Sequence, residues 1–436
     1  MRRSSVAGLL LAGLVLQTAA LALSGTSDVR QFRTWAVTIL DRPFFDAYSY
    51  DIFVPPTGVS PIPDYPPLSV AMLAASAHVA RWIRPDVTRD SRLLTVCVKA
   101  PLLGFQVFVL WLVFRSAGAA NEPPGNPREP PWNPLLWFWL NPAFILSGPA
   151  LGYLDLPCWS AGLAALLAAD AGRAGLAGVL IAASILFKPQ GLFFALPLAA
   201  MLWARPAALG RAALVGGAIV VLALLPFALR TPHGLWISMS SNFTEDLLSG
   251  DALNLWWLVS AAGFLWTFGG ASLAHPFGAP PISMFVARAG FDPTIPATLV
   301  VTGSALWLFW RGKDHPGLAP AVALGALVVH LYFTAGLAVH ENHLVYALPL
   351  LGLAALRDPR YRGLYVAASA FVAFNLLVMV GLGEDVPRVP RTGAFLPLTV
   401  AGALAGVALL AWHVRIFRTA AAATAGTARP RDGRAP

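Results

Sequence analysis

Apolar residues come in runs of roughly 14 to 22 that recur from one end of the chain to the other, separated by polar joints. After an opening run from Val6 to Leu23, they fall at about 66–83, 93–114, 132–150, 152–169, 174–187, 190–204, 212–229, 252–270, 295–310, 317–338, 343–356, 361–382 and 396–414. Wound as an α-helix at 1.5 Å per residue, a run of this length matches a hydrocarbon core ~30 Å thick. The pattern predicts fourteen hydrophobic helices in an all-α, polytopic membrane bundle. Longer polar stretches interrupt it at 25–65, 231–251 and 271–294. Residues 1–418 read as one transmembrane domain. The Ala/Thr/Arg/Pro-rich segment 419–436 reads as a disordered cytoplasmic tail.

Composition narrows the classes. Of 436 residues, 57% are hydrophobic and 12% charged, against about 25% charged in soluble domains. A cytosolic enzyme, a disordered chain and a DNA-binding domain are excluded. The net charge of +9 does not point to nucleic acid, because the 27 Arg and three Lys sit in short clusters between apolar runs. That is the signature of cytoplasmic loops. Cys97 and Cys158 both lie inside apolar segments, so neither a disulfide framework nor a metal site is expected. No Gly-rich loop followed by Lys-Ser/Thr offers a nucleotide cradle, so ATP-driven chemistry is not expected.

Met1-Arg2-Arg3 and the run after it resemble a signal peptide, but the run is long and many spans follow. We read it as a retained first span with a cytoplasmic N-terminus. Arg2/Arg3, Arg115 with Arg128, Arg173, Arg205/Arg211, Arg311/Lys313, Arg357/Arg360/Arg362 and Arg415/Arg418 then fall on the inner side. Satisfying all of them takes twelve complete crossings, with 66–83 and 252–270 left outside as interfacial or re-entrant helices. Fourteen full crossings would break the charge rule between those two segments. Either count puts the 25–65 loop outside the cell.

Charged and polar groups at membrane depth are costly and mark function by default. Lys188, in Phe187-Lys188-Pro189-Gln190, is either a cation snorkelling from a helix end or a phosphate contact beside a helix break, with Gln190 as a second donor. His340-Glu341-Asn342-His343 sits between two apolar runs, as a plain polar loop or as a group that binds phosphate and sugar hydroxyls or places a proton. Its two His are three apart with no third ligand, so it is no zinc site. Asp155 is a helix N-cap at the membrane surface or a functional carboxylate. Lys99 and His330, each alone on an apolar helix, read as packed or snorkelled residues.

The first outer loop is the most informative part. It holds five Asp; any one of them alone reads as a solvated side chain. Asp28 follows the first span closely, with Arg33 and Trp35 soon after, and Asp64-Tyr65-Pro66-Pro67-Leu68 closes the loop. A surface carboxylate can deprotonate an acceptor hydroxyl, while basic and aromatic groups hold a phosphate and a sugar ring.

The order of these pieces resembles the GT-C superfamily of integral-membrane glycosyltransferases, and within it the dolichyl-phosphate-glucose-dependent glucosyltransferases of N-glycan precursor assembly and their bacterial relatives. Five places carry the resemblance, over roughly residues 20–360. Asp28-xxxx-Arg33-x-Trp35 resembles the segment with the family's catalytic Asp. Asp64-Tyr65-Pro66-Pro67-Leu68 matches its Asp-Tyr-Pro-Pro-Leu signature letter for letter. Asn141-Pro142 followed by Gly152-Tyr153-Leu154-Asp155 is similar to its Pro/Gly-rich turn, and Phe187-Lys188-Pro189-Gln190 to its Phe-Lys-Gln or Lys-Pro-Gln element. Val339-His340-Glu341-Asn342-His343-Leu344 resembles its Val-His-Glu-Lys-x-Ile-Leu motif. Asn342 stands where the family has Lys, and Tyr153 where bacterial relatives usually have Gln.

The resemblance implies a GT-C bundle over 1–418 in the cell membrane, with an extracytoplasmic active site. The reaction it implies is an inverting transfer of a hexose, glucosyl or mannosyl, from a polyprenyl-phosphate sugar to a lipid-linked glycan or envelope acceptor. Asp28 is the implied base. Arg33, Lys188 and His340 become phosphate contacts, with Trp35, Asp64, Tyr65, Asp155, Gln190, Glu341 and His343 as further substrate contacts. No nucleotide cofactor is implied, and metal dependence stays open. The partners implied are this donor, the acceptor and membrane lipids, with no nucleic acid. The alternatives are a transporter or flippase of lipid-linked saccharides, or an enzyme resembling O-antigen ligases or lipoprotein-modifying enzymes.

Overall fold

A computed structural model describes residues 3–49, 62–119, 133, 135–241, 247–268, 292–315, 317–386 and 395–427. Its α-helices run, in chain order, α1 Arg3–Ala20, α2 Ser27–Leu40, α3 Pro67–Ile83, α4 Arg92–Ala119, α5 Pro142–Ile145, α6 Asp155–Asp170, α7 Ala174–Phe187, α8 Leu192–Leu202, α9 Pro206–Arg230, α10 Pro232–Ser241, α11 Leu255–Phe268, α12 Thr294–Gly312, α13 Leu318–Ala335, α14 Ala347–Arg357, α15 Arg360–Met379 and α16 Phe395–Thr427. Among the described residues the fold is all-helical, with isolated bridges in place of strands.

Among the described residues, five helices are long and apolar enough to cross a membrane: α4, α9, α13, α15 and α16. The protein is a membrane protein on that basis. Apolar runs at 5–20, 135–150, 174–187, 189–202, 255–266 and 343–357 form shorter helices. At 1.5 Å per residue the 14 residues of α7 reach only about 21 Å. Pro189 explains the break that follows. It disfavours helical geometry in the residue before it, and Lys188 is extended at φ −158°, ψ 140°.

Two expectations are corrected. The 25–65 stretch is not loop throughout, because α2 occupies its first half. Val29, Phe32, Trp35, Ala36 and Ile39 form its buried face at helical spacing; between them Arg30 is exposed and Gln31, Arg33 and Thr34 are half-buried. The 419–436 segment is not a tail from its first residue, since α16 continues to Thr427; residues 428–436 lie outside the described set. The 132–150 run is also not one smooth helix. Pro142 and Pro149 interrupt it, π-helical turns flank α5, and the Asn141 side chain caps the Ala143 N–H at 2.9 Å.

Small residues let the helices close up. A Cβ on Gly178 of α7 would collide with the Ala212 carbonyl, and one on Gly216 of α9 would meet the Gly178 carbonyl at 2.9 Å. This is how small residues bring membrane helices together. Chain order then sorts the helix ends. α7, α13 and α15 each begin beside a basic residue or cluster, at Arg173, Arg311/Lys313 and Arg360/Arg362, and α14 ends at Arg357. Their other ends reach 188–190, 336–346 and 379–384, and there the chain encloses a cavity.

Candidate functional site

The cavity measures about 1160 Å³ and is walled by segments far apart in sequence. Asp28, in the first turn of α2, lies on it. A carboxylate there is favoured by the helix N-terminus. The turn ahead of it is fixed by a bond from the Thr26 N–H to the Leu151 carbonyl, 3.1 Å.

Asp64 and Tyr65 enter from the chain just before α3. The Tyr65 carbonyl accepts from the Tyr48 hydroxyl at 2.6 Å, and its ring meets Phe32 edge-on at 5.3 Å. Pro66 and Pro67 then start α3, where a missing N–H does no harm. One turn on, the Ser69 hydroxyl donates to the Phe187 carbonyl at 2.6 Å, which α7 leaves without a helical partner at its end. The Asp-Tyr-Pro-Pro-Leu stretch is thereby bonded to the Phe-Lys-Pro-Gln stretch.

Lys188 does not snorkel. It is buried, its Nζ donates to Asp155 Oδ1 at 2.6 Å, and it lies over the Tyr65 ring at 5.4 Å. Asp155, 1% exposed, also accepts from the Tyr346 hydroxyl at 2.5 Å and from Asn342 Nδ2. A buried carboxylate with three donors, one of them an ammonium, meets the requirements for burying charge. It is therefore no plain N-cap. Beside this pair, the Tyr153 hydroxyl donates to Glu341 Oε1, and His340 Nδ1 stands 4.0 Å from Glu341 Oε2. Burial pushes the Glu341 carboxyl up to about 7, against the opposing pull of His340 and of the Tyr153 bond. His343 Nδ1 lies 3.3 Å from the Tyr332 hydroxyl.

Asp28, Asp64, Tyr65, Lys188, Gln190, His340, Glu341 and His343 all line this cavity. Asp155 does not line it but holds Lys188 from behind. Arg33 and Trp35 are not brought in. The Arg33 guanidinium donates to Thr95 at 3.1 Å, and Trp35 is fully buried beside Phe32 and Tyr65. Sequence reasoning missed Asn342 and Tyr346 as partners of Asp155, and Asp251 and Glu384 as wall residues. The backbone of 250–251 bridges to His340, with Asp251 at φ 65°, a geometry Asp tolerates better than most residues. A polar residue at the edge of the 231–251 stretch was the one available signal.

Chemically, the wall offers carboxylates able to take a proton, an ammonium with two further N–H groups, and ring faces. Among the described residues, no group of three or more His, Cys, Asp or Glu side chains is placed to hold a metal ion. A scan against protein-family models and a search of curated proteins each found no match to this chain.

Proposed function

We propose that this protein is a membrane glycosyltransferase of the GT-C kind, moving a hexose from a polyprenyl-phosphate sugar to a lipid-linked or envelope acceptor. The observation that carries the reading is the meeting of four separated motifs, at 28, 64–65, 188–190 and 340–343, on one cavity. Basic residues beside α7, α13, α14 and α15 lie at the helix ends away from the cavity, which by the positive-inside rule supports an extracytoplasmic site.

In this mechanism the Asp28 carboxylate takes the proton of an acceptor hydroxyl. The acceptor oxygen attacks the anomeric carbon as the bond to the donor phosphate oxygen breaks, with inversion. The phosphate leaves as a stable anion, so little protonation is needed, and no nucleotide enters. Lys188 directs its remaining N–H groups to that phosphate, where charge-assisted bonds are strong. Asp64, Tyr65, Gln190 and Glu341 bind hydroxyls of sugar and acceptor. Arg33 and Trp35 have no contact role, because their partners lie in the core.

A carrier of lipid-linked saccharides is the second reading. The feature favouring it is the buried pair His330–His413, Nδ1 to Nδ1 3.2 Å, inside the bundle. Purified protein incubated with polyprenyl-phosphate glucose, mannose and arabinose and with membrane-extracted acceptors separates the two. Glycosylated acceptor is expected. Donor translocation in vesicles with no product from any donor would replace the transferase with the carrier.

A further inference from the structure

Lys99 belongs to none of the motifs above, yet it is fully buried and its ammonium is completely used. Its Nζ donates to the carbonyls of Ala20 (3.2 Å), Leu23 (2.7 Å) and Ala150 (2.9 Å). The first two come from the end of α1 and the turn after it. The third comes from the π-helical turn before α6. Helix C-termini leave carbonyls without partners and favour a cation, so one side chain caps two chain segments that are about 130 residues apart.

Those segments are the ones that deliver Asp28 and Tyr153 to the cavity. Each passes through a left-handed glycine, Gly25 and Gly152, both at φ +81°. The turns press on one another. A Cβ on Gly25 would meet the Leu151 carbonyl at 3.0 Å, and one on Gly152 would meet Val29 and, at 3.0 Å, the Lys99 stem. The Thr26 N–H bond to the Leu151 carbonyl closes the joint.

We infer that Lys99 is a positioning residue: its ammonium joins the Gly25 and Gly152 turns and so sets where the Asp28 carboxylate stands relative to Tyr153 and its partner Glu341. The consequence for catalysis rests on the reading of Asp28 as the base. The joint itself does not.

The test uses the full chain in detergent micelles. In Lys99→Met, hydrogen exchange should accelerate by about tenfold or more in peptides covering 21–29 and 148–155 and stay unchanged in α13 and α14. Turnover should fall about 10²-fold, as for a base displaced by an ångström, while the donor Kd stays within about twofold. Lys99→Arg, which keeps charge and donors, should recover part of the turnover. Should Lys99→Met not fold, Gly152→Ala strains the same joint from the other side, leaves the ammonium in place, and carries the same expectation. Unchanged exchange in the two segments, equal acceleration in α13 and α14, or unaltered turnover would each overturn the inference. A wild-type protein without transferase activity would remove the proposed function instead, and the exchange measurement would still decide the joint.

Discussion

Lys188 and Asp155 bury opposite charges 2.6 Å apart, and that pairing changes what a substitution at either site means. Removing one partner strands the other charge, at about 3–5 kcal/mol, whereas replacing both is far milder. Lys188→Met should therefore destabilise strongly, and Lys188→Met with Asp155→Asn should regain most of that stability but not donor affinity. Thermal unfolding and donor binding, measured side by side, check this; a double variant that binds donor normally would remove Lys188 from phosphate recognition. Glu341 makes a different prediction. Its carboxyl titrates near 7 in the folded protein against an ordinary 4.5, so the folded state holds a proton that the unfolded chain has released. Its contribution is complete below pH 4.5 and lost as the pH rises through 7. The melting temperature should fall over that window, and Glu341→Gln should flatten the fall; an unchanged slope would assign it to another group. That these residues belong together was legible in the sequence, since Asp28 and most of the expected substrate contacts line one cavity. Their partnerships were not. Asp155 finds Lys188 33 positions away and Tyr346 191 positions away, and no periodicity encodes such a contact.

Helices were legible wherever apolar runs were continuous. They were hidden where the apolar positions lie on one side only. α2 interleaves Arg30, Gln31, Arg33 and Thr34 with its buried face, and a reading based on long runs passes over it as loop. It is nevertheless the element that presents Asp28. The breaks were legible as prolines, and so was the length of α7, which ends before Pro189 where its apolar run ends; Pro142 and Pro149, by contrast, divide one expected span. Contacts between helices depend on positions that hydropathy ignores. Gly178 is one of these, set directly against the Ala212 carbonyl of α9. Gly178→Leu should force α7 from α9 and cost about 1–3 kcal/mol, as overpacking does. Gly217→Leu, where a Cβ meets nothing within 4 Å, is the control. Equal melting temperatures for the two variants would contradict this close approach.

At the scale of the whole molecule, the account depends on sidedness and on one base. Basic residues at the ends of α7, α13, α14 and α15 away from the cavity support the proposed orientation, in which the first polar loop lies outside the cell. A cysteine at Ser49, which is partly exposed, should react with an impermeant maleimide in intact cells; labelling only after lysis would turn the molecule over. The central claim is that Asp28 removes the acceptor proton. Among the Asp residues of that loop, Asp46 is the internal control, because it pairs with Arg230 at 2.7 Å and does not line the cavity; Asp51 lies outside the described residues. Turnover of a polyprenyl-phosphate hexose by Asp28→Asn and Asp46→Asn, with the donor Kd of each, tests the claim most directly. Loss of a general base predicts a fall of about 10²–10⁴-fold for Asp28→Asn with an unchanged donor Kd, and Asp46→Asn should keep wild-type turnover. Full turnover by Asp28→Asn would contradict the mechanism, and its loss in Asp64→Asn instead would move the base to the start of the Tyr-Pro-Pro-Leu stretch.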